Sequence, residues 1–162
     1  MLGAIAGDMI GSVYEFENHR SKNFPLFITA TTFTDDTILS VAVADVLLNS
    51  GDYAQAFKKY YRRYPNPAGS YGARFHQWAA APTVAPYNSW GNGSAMRVSP
   101  VGFAGNSLAS VLTEAEKTAA VTHNHPEGIK GAQATAAAIF LARHGRANDD
   151  IRNFVMEQVG YN

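Results

Sequence analysis

The tetrapeptide Thr34-Asp35-Asp36-Thr37 sets a hydroxyl and two adjacent carboxylates just ahead of an apolar run with helical spacing. These are oxygen donors of the type that Mg²⁺ or Mn²⁺ prefers. Successive residues on a helix diverge by about 100°. Asp35 and Asp36 could therefore hold two different ions, or hold one and orient a water. The same residue types are also ordinary helix starters, because Thr is a good N-cap and Asp in the first turn suits the helix dipole. Taken alone, the tetrapeptide is more often a cap than a metal site.

Three further groups carry polar chemistry. Asp8 sits inside a glycine-rich helical stretch and either reaches a neighbouring helix terminus or joins a site, while Glu15 follows at the end of that stretch as a solvated residue or a working carboxylate. The loop Ser89-Trp90-Gly91-Asn92-Gly93-Ser94-Ala95-Met96-Arg97 offers unobstructed backbone N–H groups, a helix N-terminus expected after Gly93, and one Arg. Those parts can cradle a phosphate, although a plain turn is the commoner result. The loop lacks the Gly-Lys-Ser/Thr of a P-loop, which disfavours an ATPase. His123 and His125 flank Asn124 ahead of Pro126 and read as metal ligands or, more often, as capping groups. No Gly-x-Ser-x-Gly elbow is present, so a Ser-His-Asp hydrolase is disfavoured.

The elements that must position these residues are helices. Leu2, Ile5, Ala6, Met9, Ile10 and Val13 form one helical stripe, and Gly3, Gly7 and Gly11 recur every four residues on the same element. Each glycine costs roughly 1 kcal/mol against Ala in a helix, so close approach of a backbone or a ligand is expected there. Residues 18–32 read as an extended loop, despite strand propensity in Leu26-Phe27-Ile28-Thr29. A helix is expected over 35–49, stopped by Gly51, and Asp52 caps another whose Phe57, Tyr60, Tyr61 and Tyr64 read as core. Gly69-Ser70-Tyr71-Gly72 is a loop before a short helix through Phe75 and Trp78, and residues 81–100 are rich in Pro and Gly. Thr113 with Glu116 reads as a capping box for a helix reaching about Thr122. Pro126 and Glu127 open an Ala-rich helix over 129–143, ended by Gly145. Asn148 or Asp149 caps a last helix ending at Gly160. The expected fold is all-α, one compact multi-helix domain over residues 1–162.

Composition narrows the function. The chain has 162 residues, with 13 Lys+Arg against 13 Asp+Glu and no net charge. A general nucleic-acid or anionic-membrane binder would need a positive excess, so no nucleic acid and no membrane are expected as partners. Hydrophobic residues at 46% and charged residues at 16% mark a globular chain rather than a disordered one. With no Cys, disulfides, zinc-thiolate sites and thiol nucleophiles are excluded. No apolar run approaches the roughly 18 residues of a spanning helix, and the stretch before Asp8 lacks a basic n-region, so a cytoplasmic protein is expected. Neutral charge also permits self-association.

In order along the chain, these pieces resemble the ADP-ribosylglycohydrolase family, the DraG-like ADP-ribosyl-acceptor hydrolases. The likeness lies in Gly3-Ala4-Ile5-Ala6-Gly7-Asp8-Met9-Ile10-Gly11-Ser12-Val13-Tyr14-Glu15, Phe33-Thr34-Asp35-Asp36-Thr37, Gly69-Ser70-Tyr71-Gly72, Trp90-Gly91-Asn92-Gly93-Ser94-Ala95-Met96-Arg97 and Thr122-His123. The resemblance implies an all-α enzyme that uses a Mg²⁺ or Mn²⁺ pair to hydrolyse the bond between ADP-ribose and an acceptor side chain. It implies Thr34, Asp35 and Asp36 as metal ligands, and Glu15 as the mobile glutamate that approaches the scissile ribose. By the same likeness Ser89, Trp90, Gly91 and Asn92 surround the diphosphate and proximal ribose, His123 contacts the ligand, and Gly72 lies near the phosphates. The chemistry is coherent. Breaking a ribosyl C1 bond develops oxocarbenium character, a bound cation orients the ribose hydroxyls and acidifies a water, and Asp36 or Glu15 can accept the proton.

The chain departs from that family in one respect. Members continue beyond a segment like Val159-Gly160-Tyr161-Asn162 and carry an Asp-x-Asp-Thr motif that completes the metal pair. Here Asn148-Asp149-Asp150-Ile151 has neither the spacing nor the Thr, and helix capping is its expected role. The two-metal site is therefore expected to be incomplete in this chain, as in a truncated member or one completed by a second chain. An inactive ADP-ribose-binding remnant is the alternative reading, and a Thr-Asp-Asp phosphohydrolase is a third.

Overall fold

The computed structural model describes residues 1–17, 19–83 and 85–160. Its central element is α2 (Asp35–Asn49), following α1 (Leu2–Gly11). Thr34 starts α2 as its N-cap, with extended backbone and a hydroxyl that accepts from the Asp36 N–H. Ile38, Leu39, Ala42 and Val43 on α2 are buried and pack against α3 (Tyr53–Arg63) and α5 (Ser99–Ala104). Phe57 on α3 has no exposed surface, while Tyr60, Tyr61 and Tyr64 are partly buried against the same core, as their spacing predicts. Lys58 is also buried, because its ammonium donates to the carbonyls of Trp78 and Ala81 at the end of α4 (Ala73–Ala80). A cation suits the negative end of a helix.

The second half of the core is made by α6 (Leu108–Ala120) and α7 (Pro126–Arg143). Ala115 and Ala119 on one helix and Ala132, Ala136 and Ala137 on the other are fully buried. Small side chains let two helices approach closely, so an Ala-rich pattern here serves packing as well as propensity. A 3₁₀ turn (Asn92–Ser94), α8 (Asn148–Phe154) and a π-helical turn (Val155–Val159) complete the chain. Among the described residues there is no strand. One isolated bridge pairs Thr34 with Ala68. The all-α expectation holds.

Several local expectations fail. α2 is ended by Ser50 in the left-handed region at φ 54°, one residue before Gly51. α6 starts at Ser107, whose side chain and that of Ser110 satisfy each other's backbone N–H groups. Thr113 and Glu116 lie inside that helix, so their box-like spacing caps nothing. The loop after Gly93 forms only a 3₁₀ turn, and the next α-helix begins at Ser99. Ala147, without a side-chain cap, precedes α8, and Asn148 and Asp149 are already in its first turn. Residues 19–32 form an irregular connection as expected, while Asn18 of that segment lies outside the described residues, as do Val84 and the Tyr161-Asn162 end of the Val159-Gly160-Tyr161-Asn162 segment.

The glycines of α1 meet no packed backbone. A methyl group on Gly3, Gly7 or Gly11 would find no atom of another element within 4 Å, and no residue of α1 is buried. Gly7 and Gly11 instead form part of a cavity wall beside Asp8.

Candidate functional site

The site is organised from Asp8. Its Oδ2 accepts from the backbone N–H groups of Thr34 (2.9 Å) and Thr37 (3.2 Å), and its Oδ1 accepts from the Thr34 hydroxyl at 2.6 Å. A carboxylate from α1 thus caps the positive end of α2, the structural alternative weighed for this residue from sequence. Thr34 Oγ1 consequently donates to Asp8 while accepting from Asp36, and only one lone pair is uncommitted.

That cap holds Asp35 and Asp36 at the helix mouth with diverging directions. Asp35 lines a cavity of about 350 Å³ together with Gly72, Ser89, Gly91 and His123. Asp36 lines a second, of about 370 Å³, together with Asp8, Glu15, Thr34 and Asn92. Each is near the lower end of the range for small-molecule sites. The adjacent residues Gly91 and Asn92 belong to different cavities, so the glycine-rich turn borders both. The two aspartates have separate surroundings but share this turn as a neighbour.

Negative charge is concentrated here. Burial, then the nearby Asp36 and Glu15 carboxylates, push Asp35 up to about 7 from an ordinary 3.8. Burial, then Asp8 and Glu15, push Asp36 up to about 6. None of Asp8, Glu15, Asp35 and Asp36 forms an ion pair among the described residues, where the ion pairs are Lys59–Asp45, Lys117–Glu114 and Lys130–Glu127. Asp35 and Asp36 resist ionisation in this crowd of carboxylates, an environment that a cation relieves. The donor set fits Mg²⁺, which binds through one or two carboxylates and keeps several waters. It does not form a closed protein cage. Among the described residues no group of three or more His, Asp or Glu side chains is gathered tightly enough to hold an ion.

Glu15 is seated by a residue that sequence reasoning noted only as part of a motif. Gly69 adopts φ +74°, and a methyl group there would collide with the Glu15 carboxylate, lying 3.0 Å from its Cδ. The glycine serves both its left-handed backbone and the space for a carboxylate far away in the chain. On the other wall, His123 is 5% exposed and its ring nitrogen Nδ1 lies 2.8 Å from Thr122 Oγ1. Burial, then the Arg97 and Arg74 charges, push His123 down to about 3, so it is neutral at physiological pH. Gly93 and Gly128 leave room for it: a methyl on Gly93 would lie 2.9 Å from Cε1 and Nε2, and one on Gly128 3.0 Å from its Cβ.

Of the residues expected to contact a ligand, Gly72, Ser89, Gly91, Asn92 and His123 all face one of the two cavities. Trp90 does not. It is 71% exposed with its ring 6.1 Å from that of His125. Arg97, expected in a phosphate-cradling loop, is fully buried with its Nη2 bonded to the Thr118 carbonyl and the Thr122 hydroxyl. Arg74 and Tyr87 also line the Asp35 cavity and were not singled out from sequence, because no local pattern marks them.

The molecule is thus an all-helical domain with an acidic helix mouth facing a glycine-rich turn, with a mostly apolar cavity on the Asp35 side and a more polar one on the Asp36 side. The ADP-ribosylglycohydrolase family model matches residues 1–160, and the chain belongs to that family. Human ADP-ribosylhydrolase ARH3 is 29% identical over 196 aligned positions, covering 99% of this chain and 53% of the relative. The bovine protein of that name is 28% identical with the same coverage. ADP-ribosylarginine hydrolase Tri1 of Pseudomonas putida (strain GB-1) is 27% identical, covering 93% of this chain and 47% of the relative. The chain spans about half the length of the curated relatives it matches.

Proposed function

We propose that this chain carries the nucleotide-facing part of a metal-dependent ADP-ribosyl hydrolase, which cleaves the glycosidic bond between ADP-ribose and an acceptor side chain. The observation that carries this reading is the position of Asp35 and Asp36 on either side of the Gly91-Asn92 turn, in a chain matched to the family from end to end of its described core. In it, Asp35 from one cavity and Asp36 with the remaining lone pair of Thr34 from the other would offer oxygen ligands to Mg²⁺ or Mn²⁺. When bound, the ion orients ribose hydroxyls and acidifies a water. Asp36 or Glu15 would take a proton from the attacking water as the bond between the ribosyl C1 and the acceptor breaks, and the acceptor would leave carrying that proton. Gly72, Ser89, Gly91 and Asn92 present an open wall that orients the diphosphate and proximal ribose, and His123 donates to the ligand without changing charge.

Release of free ADP-ribose from an ADP-ribosylated protein, supported by Mg²⁺ or Mn²⁺ and abolished by EDTA and by Asp35→Ala, tests the reading. No release at any metal concentration removes it. The sparse donor count favours a second version, in which further oxygen ligands come from a partner chain and this chain alone binds without turnover. Leu2 and Phe16, at 85% and 79% exposed, supply apolar surface for such a partner. Calorimetry with ADP-ribose, with and without Mg²⁺, separates the two versions when run beside the turnover assay. We place the protein in the cytoplasm. Among the described residues no helix is long and apolar enough to cross a membrane.

The seat of Glu15 yields a sharper expectation. Gly69→Ala forces the Glu15 carboxylate from its place and should lower kcat by at least about tenfold, while changing ADP-ribose affinity less than about threefold. Glu15→Asp in the same chain shortens the side chain and should remove the part of the Gly69→Ala loss that comes from the collision, leaving the smaller backbone cost. Equal losses from Gly69→Ala in both backgrounds would contradict the seating.

A further inference from the structure

Arg97 is fully buried, with its guanidinium 4.2 Å over the Phe57 ring. It has no carboxylate partner among the described residues, and its Nε and Nη1 find no hydrogen-bond acceptor there. A buried, unpaired cation is costly, so its remaining contacts deserve a reason. Nη2 donates to the Thr118 carbonyl at 2.9 Å and to Thr122 Oγ1 at 2.8 Å. Thr122 is itself fully buried, and its Oγ1 lies 2.8 Å from His123 Nδ1.

The direction of each bond follows from what the groups can do. A guanidinium only donates, so it occupies a lone pair of the Thr122 oxygen. Tyr87, whose hydroxyl also pairs with Thr122, can donate into the second lone pair, which leaves the Thr122 proton for Nδ1, and a positive charge on that side favours a lone pair over an N–H there. An imidazole bonded in this way carries its proton on Nε2. The Nε2 edge lies against Gly93, whose missing Cβ gives it room, and His123 lines the Asp35 cavity.

We propose that Arg97 and Thr122 are positioning residues that lock His123 as an Nε2–H donor. The cavity wall then offers one fixed, uncharged donor, which selects a ligand with an acceptor oxygen or nitrogen at that point and takes no part in proton transfer. The neutral state that burial and the Arg97 charge impose on His123 agrees with this assignment. The ligand half of the proposal rests on the function proposed above, with ADP-ribose in the cavity. The lock itself stands without it.

The test is a long-range ¹H–¹⁵N spectrum of the histidine rings in the intact chain at pH 7, recorded before and after adding ADP-ribose. The expected wild-type signature is protonated Nε2 and bare Nδ1 at His123. Thr122→Val keeps the shape but loses the hydroxyl. With the Arg97 charge retained it should give a mixed tautomer and about tenfold weaker ADP-ribose binding, and Thr122→Ser should restore both to within about twofold. Protonated Nδ1 in the wild type overturns the lock, and that result needs no variant to fold. An unaltered tautomer in Thr122→Val overturns the part assigned to Thr122. The expected tautomers with no response of any resonance to ADP-ribose uphold the lock and count against the proposed ligand.

Discussion

Asp8→Ala is expected to lower the melting temperature by about 6–12 °C, more than any other single change at a polar residue of the site. Three hydrogen bonds to a carboxylate are lost at once, from the Thr34 and Thr37 N–H groups and the Thr34 hydroxyl. Bonds to a charged group contribute about 1.5–3 kcal/mol each, but neighbouring bonds do not add in full, so a total of about 3 kcal/mol is a reasonable expectation. At this chain length each 1 kcal/mol moves the midpoint by about 2–4 °C. The favourable interaction with the α2 dipole is lost with them. Asp8→Asn keeps an acceptor oxygen and should recover part of the loss. Thermal melts followed by circular dichroism measure both, and a fall of less than about 2 °C in Asp8→Ala would show that α1 does not hold the helix mouth in place.

Asp35→Asn should do the opposite in the absence of divalent ions. In the folded chain Asp35 titrates near 7, against an ordinary 3.8. Between those values the folded state binds more protons than the unfolded state, so stability falls as pH rises through that window and is lowest above it. The full displacement corresponds to about 4 kcal/mol, and screening at a partly exposed side chain reduces this to about 1–2 kcal/mol. Asp35→Asn in EDTA at pH 8 should therefore melt about 3–6 °C higher than the wild type, with little difference at pH 4. Adding Mg²⁺ or Mn²⁺ at pH 8 should stabilise the wild type and not the variant. A variant that is destabilised in EDTA, or that gains as much from the cation, would contradict the electrostatic reading of this cluster.

What the sequence makes legible depends on how local the cause is. Thr34 with Asp35 and Asp36 reads correctly as a helix start because a cap is made within one turn. The start of α6 is missed because Ser107 is paired with Ser110, a residue outside the usual Glu or Gln signature, while Thr113 and Glu116 match the signature inside the helix. Ser50 adopts a left-handed angle next to an available glycine, against the local preference for Gly at such a position. Non-local causes leave no pattern at all. The fit of Glu15 under Gly69, and of His123 between Gly93 and Gly128, appears only when distant loops are brought together. The bonds between Arg97 and Thr122 are of the same kind, since they join the end of α6 to the glycine-rich turn. Trp90 shows the converse, a residue prominent in a motif whose side chain faces solvent.

Relaxation of the ADP-ribose phosphorus signals by Mn²⁺ addresses the main assertion in one experiment, because it requires ion and sugar nucleotide to be bound side by side. With the intact chain, Mn²⁺ should shorten ³¹P relaxation of ADP-ribose well beyond the effect of Mn²⁺ without protein, and Asp35→Asn should remove the excess. Protein-bound Mn²⁺ with no added relaxation, or equal relaxation in Asp35→Asn, would mean that the acidic helix mouth and the nucleotide do not meet.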